Sequence, residues 1–263
     1  MTRCPAAARA LLLAALSLTV LPAAAGCSLQ QEPRPRWFTV SPSATSASPA
    51  GKQPVAPGGD LAAALVRAAL VTEADLGEPW VPTRGARTWR DGLLKGTAED
   101  PECRRLLDVL YTEELFGAPR GPRAQSALDD DETDAQLRYQ VAVHRPADAD
   151  RALDWLGSLP DRCGRFTATT SGGGVQQEVQ VSELPLPSAG DARRALRVTL
   201  AGETEDGDLT YLTFDIAGVR VGEQAVTVTN AGLGEVYEEV TRHAVQVGAQ
   251  RLADLGKSGR AQI

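Results

Sequence analysis

The cysteines are the residues whose positions most directly suggest chemistry. Cys27 follows Ala24, Ala25 and Gly26, and these follow an apolar run over 11–21 that Pro22 closes. Arg3 and Arg9 lie ahead of that run and supply a positive start. A basic start, a short apolar stretch and a small-residue junction make an export signal, and the run is too short for a stable spanning helix. A Cys at the junction has the layout of a lipobox, in which the thiol takes a diacylglyceryl group before the peptidase cuts. The expected cut leaves Cys27 lipidated and the chain anchored on the outer face of the cytoplasmic membrane. Leu is the commonest occupant where Ala24 stands, and the competing reading is ordinary cleavage after Ala25 with Cys27 as a free thiol.

Cys4 leaves with the signal, so Cys103 and Cys163 remain in the exported part. Two cysteines in an oxidising compartment predict one disulfide. They and the two isolated histidines, His144 and His243, lack the ligand spacing of a zinc site. The acidic run 129–134 lacks the Gly and Glu that an EF-hand loop needs at its sixth and twelfth positions, and is read as a solvated turn. No Gly-x-Ser-x-Gly, Ser-x-x-Lys or His-Glu-x-x-His pattern occurs. The glycines at 172–174 sit between two strand-like segments and do not open a helix, as a phosphate loop would. Neither an enzyme nor a cofactor or metal site is expected.

Residues 28–59 are rich in Ser, Pro, Ala, Gly and Gln, a composition with little to build a core, and are expected to form a tether. Its span would be roughly 30 Å as a flexible coil. Arg34, Arg36 and Trp37 could touch lipid headgroups, although a plain linker is the favoured reading. The folded domain is expected over 60–255, with a polar tail at 256–263. The chain's formal net charge is −7. That balance argues against nucleic acid as a partner, because phosphates need a concentrated basic surface.

The elements follow from periodicity. Asp60 caps a helix with Leu61, Leu65, Ala68 and Ala69 on one face, ending over 70–77. Residues 80–98 are irregular, with a short strand around 86–90. Asp100 followed by Pro101 is an N-cap and first-turn Pro, and the apolar spacing continues that helix to Gly117 and Pro119. A hairpin pairs 123–128 with 137–143. Pro146 opens a helix that ends near Cys163. Strands then follow at 165–170, 175–183, 195–202, 209–220 and 225–229, and a last helix from 233 to 255. The apolar phase slips at Ala217–Gly218, which predicts a bulge. Clean alternation in the strands predicts an α+β two-layer domain: an antiparallel sheet with one face covered by helices and the other wet. Arg138, Gln140, Glu178, Gln180, Arg197, Thr199, Tyr211, Thr213 and Asp215 fall on the wet side. Of these, Arg138, Gln140, Glu178, Arg197, Tyr211 and Asp215 are the candidate ligand face; ordinary solvated strand positions are the plainer reading.

Several segments together resemble a known family. They are the helix end over 71–77; Asp100-Pro101-Glu102-Cys103-Arg104-Arg105-Leu106-Leu107; and Val141-Ala142-Val143-His144-Arg145-Pro146 running to Trp155. Cys163-Gly164, Arg220-Val221-Gly222-Glu223-Gln224 and the last amphipathic helix complete the set. Over residues 60–255 the pattern is similar to the PknH-like extracellular sensor domain family, which includes lipoproteins. The resemblance implies an α+β fold with an antiparallel sheet, packed helices and a cleft for an unidentified ligand. The kinase's domain carries two disulfides, whereas here only Cys103 and Cys163 are available, and no ligand-binding residue transfers. The expected function is a membrane-anchored, non-catalytic sensor or ligand-binding module, its partners being the membrane through Cys27 and a small-molecule or cell-wall ligand. The alternative is a carrier of an amphipathic, lipid-like ligand; a hydrolase is the remaining reading.

Overall fold

A computed structural model describes residues 57–85, 95–133, 135–170, 174–203 and 209–260. The export signal, Cys27, the tether over 28–56 and the strand expected at 86–90 lie outside the described residues. None of the described helices is long and apolar enough to cross a membrane.

Among the described residues nine strands form one sheet, and every neighbouring pair is antiparallel. In chain order they are β1 (Trp80–Pro82), β2 (Gly96–Thr97), β3 (Arg123–Asp130), β4 (Gln136–Val143), β5 (Arg165–Thr170), β6 (Gln176–Glu183), β7 (Ala192–Glu203), β8 (Leu209–Val221) and β9 (Gln224–Leu233). Across the sheet the order is β1-β3-β4-β9-β8-β7-β6-β5-β2, so the last strand sits inside the sheet, between β4 and the central β8. The helices are α1 (Pro57–Ala68), the four-residue α2 (Glu73–Leu76), α3 (Pro101–Thr112), α4 (Pro146–Cys163) and α5 (Glu238–Arg260). Strands β1 and β2 are too short to stand out from the irregular sequence around them.

The α+β class, the antiparallel sheet and the helices packed against it agree with expectation. The helices, however, divide between the two faces instead of sharing one. Leu212, Phe214 and Ile216 of β8 join Val179, Val181, Leu196, Val198 and Leu200 in a core under α3 and α4. Ala217 and Val219 of the same strand join Tyr139, Val141, Val226 and Val228 in a second core with Val66 of α1 and Ala244, Val245 and Ala249 of α5. Successive side chains on a strand point to opposite faces. The α3–α4 layer therefore lies on one face, over β6–β8, and the α1–α5 layer on the other, over β3, β4, β9 and β8. The α1–α5 layer leaves the β5–β7 part of its face bare, with Thr167, Glu178 and Gln180 exposed.

This arrangement also accounts for the phase slip, which is not a bulge. Ala195 pairs with Ala217 and Arg194 with Gly218 in unbroken register. β8 is buried on both faces over 212–219, so its apolar residues need not alternate. Gly218 is a point of close approach: a Cβ there would stand 2.7 Å from Leu115, 2.8 Å from Leu153 and 3.0 Å from Phe116. Leu115 can reach it because α3 ends earlier than its apolar spacing suggests. Glu113 turns left-handed (φ 61°) and the chain folds down onto the sheet.

The last helix likewise starts later than expected. Leu233 is still in β9, opposite Leu212, and Gly234 at φ 91° turns the chain toward α5. The polar residues Thr227, Thr229 and Asn230 extend β9 beyond the apolar run and are buried.

Candidate functional site

The divided helices split the candidate ligand face. Register places Arg138 beside Thr229 and Gln140 beside Thr227, on the face that carries α3 and α4. Glu178, Arg197, Tyr211 and Asp215 lie on the opposite face. The six residues therefore cannot line one cleft. Arg138 Nε stands 3.8 Å from a Glu113 carboxylate oxygen and donates to Gln136 Oε1 at 3.3 Å. The gap among Glu113, Gln125, Arg138, Gln140, Thr227 and Thr229 holds about 10 Å³, room for no more than a water molecule.

Asp215 is no ligand-face residue at all, since it is fully buried. Arg197 donates to both its oxygens, at 2.7 and 2.9 Å, and the Thr241 hydroxyl donates at 3.1 Å. The same guanidinium donates to the Val236 carbonyl at 2.8 Å. Its hydrogen bond to Asp215 holds the Arg197 pKa above its ordinary value, against the opposing effect of burial. Alternation alone puts Asp215 on the polar side of its strand; what covers that side is α5. The pair staples the start of α5 to the sheet. Arg197→Ala is expected to destabilise the domain by about 2 kcal/mol, less than a wholly buried pair because Arg197 keeps access to water. Urea unfolding measures it, and a loss below about 0.5 kcal/mol would place the staple among ordinary surface pairs.

The bare half of this face is a polar platform. One row of cross-strand neighbours runs Thr167, Glu178, Ala201, Tyr211, and the next runs Arg165, Gln180, Thr199, Thr213. Gln180 donates to Glu178 at 3.1 Å, and Arg165 lies 3.5 Å from Glu178. Tyr211 is 43% exposed. At the β5 edge the platform runs into an open pocket of about 530 Å³, lined by Thr97, Ala98, Glu99, Asp100, Phe166, Thr167, Thr169 and Gln176.

Local sequence explains the pocket's far wall. Asp100 Oδ1 accepts from the Glu102 and Cys103 amides at 2.7 and 3.2 Å, which starts α3 at Pro101. Arg104 donates to the Ala98 and Glu99 carbonyls and holds the chain between β2 and α3. The Cys103–Cys163 disulfide then ties the first turn of α3 to the end of α4, where β5 begins. Alternation could have assigned Thr167, Thr169 and Gln176 to one face. The wall they look at depends on the two-residue β2, which carries no periodic signal.

The histidines do not meet. The His144 ring sits 5.6 Å from that of Phe116, and burial holds its pKa below the ordinary value. His243 Nε2 is 2.9 Å from the Asp75 carbonyl oxygen, on the surface. In the acidic turn, Asp130 accepts from the Glu132 and Thr133 amides, while Asp129 accepts from Thr83 and Gln136 side chains. Those carboxylates tie the turn together. Asp100 lies near both cysteine sulfurs, which are bonded to each other and are not thiolate ligands.

No family model matches the chain, and no curated protein matches it. Among solved structures it is similar to the extracellular domain of PknH from Mycobacterium tuberculosis, at 16% identity and a TM-score of 0.43. The match covers 79% of this chain and 100% of that one.

Proposed function

We propose that the chain is a lipid-anchored, extracytoplasmic module that binds a ligand without transforming it. The observation that carries this reading is Cys27, placed after an export-type apolar run and three small residues and ahead of a Pro- and Ser-rich tether. A buried disulfide supports export, because such bonds persist in oxidising compartments. The absence of a nucleophile–base pair among the described pocket residues supports a binding role over a hydrolytic one. The carrier alternative has less support, since the pocket at the β5 edge is open and only about half of its described lining is apolar.

The test is fractionation of cells expressing the wild type and Cys27→Ser. The wild type should sediment with membranes and gain the mass of a diacylglyceryl group. The variant should leave the membrane fraction with its Cys103–Cys163 bond intact. A wild type recovered unlipidated from the medium would overturn the anchor.

A further inference from the structure

We propose that the outer edge of β5, at Arg165 and Thr167, takes an extended peptide as a further antiparallel strand. This names a partner for the binding role argued above and rests on that reading.

Backbone register defines the edge. The Thr170 amide donates to the Val175 carbonyl, and the Val181 amide to the Gly164 carbonyl. Those bonds turn the N–H and C=O groups of Gly164, Phe166, Ala168 and Thr170 toward β6, and those of Arg165, Thr167 and Thr169 outward. β2 meets Thr169 with Thr97 and pairs no further along β5. Ala98 then turns into the α3–α4 core, Arg104 holds the Ala98 and Glu99 carbonyls, and α3 starts at Pro101. The chain is thus diverted just where it would have covered the rest of β5. Among the described residues no backbone group bonds the outward N–H and C=O of Arg165 and Thr167.

The open pocket of about 530 Å³ occupies the gap this diversion leaves, between Thr97, Ala98, Glu99 and Asp100 on one side and β5 on the other. Unpaired N–H and C=O groups in a row are a template for another strand, and the bonds they offer are the same whatever side chains the peptide carries. The opposite edge of the sheet is blunted, since β1 has three residues, follows Pro79 and ends at Pro82. No proline interrupts 164–170. Flanking charge gives the direction. Glu99 and Asp100 stand at the β2 end of the gap, and Arg165, its side chain 70% exposed, at the α4 end. An antiparallel strand with a basic residue opposite Thr167 and an acidic one opposite Arg165 complements both. The residue between these two falls on the Phe166 side of the sheet, where an apolar side chain fits.

Amide NMR tests this on the full chain in detergent, with acetyl-Ser-Lys-Val-Glu-Ser-amide as the probe. In the free protein the Arg165 and Thr167 amides should exchange with solvent much faster than those of Phe166 and Ala168. The peptide should bind with a Kd of about 1 mM or tighter and slow the exchange of both outward amides. N-methylation of the peptide at Lys or at Glu, whose N–H groups would face β5, should weaken binding about tenfold. N-methylation at Val, whose N–H faces away, should change it less than about threefold. Thr167→Pro removes an N–H that no bond to β6 uses, so it should keep the fold and weaken binding about tenfold. The methylated peptides probe the same edge on wild type if that variant does not fold. Slow exchange at both outward amides of the free protein, no binding, or equal losses from all three methylations would overturn the proposal. Fractionation of the same wild-type protein keeps the two readings apart. Membrane-bound protein that ignores the peptide sinks only the edge assignment, and peptide binding by unlipidated protein sinks only the anchor.

Discussion

Replacing Cys103 and Cys163 together by Ala is expected to lower the unfolding free energy by about 4 kcal/mol. The bond joins residues 60 apart in sequence, and cross-linking a loop of that length removes about that much entropy from the unfolded chain. Both cysteines, one in α3 and one at the end of α4, are buried in the core, and losing their packing adds to the effect. A drop of this size is a large fraction of a typical domain's stability. Urea unfolding of the oxidised wild type and the double variant measures it; a difference below about 1 kcal/mol would mean that loop closure contributes little. Functionally, the bond holds the first turn of α3 over the start of β5, so the variant should also lose order in the pocket wall at 98–100. Hydrogen exchange at the Glu102 and Cys103 positions, whose amides Asp100 caps, reports that loosening independently of global stability.

Gly248→Ala is expected to destabilise by about 3 kcal/mol net, although helix propensity alone favours Ala over Gly by about 1 kcal/mol. A Cβ at Gly248 would stand 1.5 Å from Tyr139 Oη and 2.6 Å from Cζ. Tyr139 is almost fully buried among the β4 and α5 side chains and has no open rotamer to retreat to. Overlap with several ring atoms therefore outweighs the propensity gain, and α5 must lift off the sheet. The tyrosine hydroxyl has no hydrogen-bond partner among the described residues, and burial pushes the phenol pKa up. Tyr139→Phe alone should therefore be neutral or stabilise by up to about 1 kcal/mol. In combination it should recover part of the Gly248→Ala loss, because the nearest overlap disappears while that with Cζ stays. Thermal or urea melts of the two single variants and the double variant form the cycle. A Gly248→Ala protein as stable as wild type would show that α5 does not press on Tyr139.

Some parts of this architecture were legible as sequence. Asp100 before Pro101 names a helix start by the chemistry of its side chain, and the alternation Val179, Val181 against Glu178, Gln180 names a half-buried strand. Both signals are local, involving residues within a turn or a pleat of one another. The early end of α3 was less legible, because Leu115 keeps helical spacing while its burial is satisfied against Gly218, a residue more than a hundred positions away. The candidate ligand face was misread for the same reason. Alternation tells that Asp215 and Phe214 point oppositely, yet nothing local says which of the two faces carries a helix.

Cys27 with its small-residue approach, the tether composition, the cysteine pair and the alternating strands are properties of the chain as written, and the α+β class follows from them. Tertiary structure alone decided the strand order, with β9 between β4 and β8, and hence which face each strand shares with its neighbours. Because register then carries one strand's inward and outward positions across the whole sheet, that order put Arg138 and Glu178 on opposite faces, buried Asp215 under α5, and left Thr167, Glu178 and Tyr211 in a single exposed row.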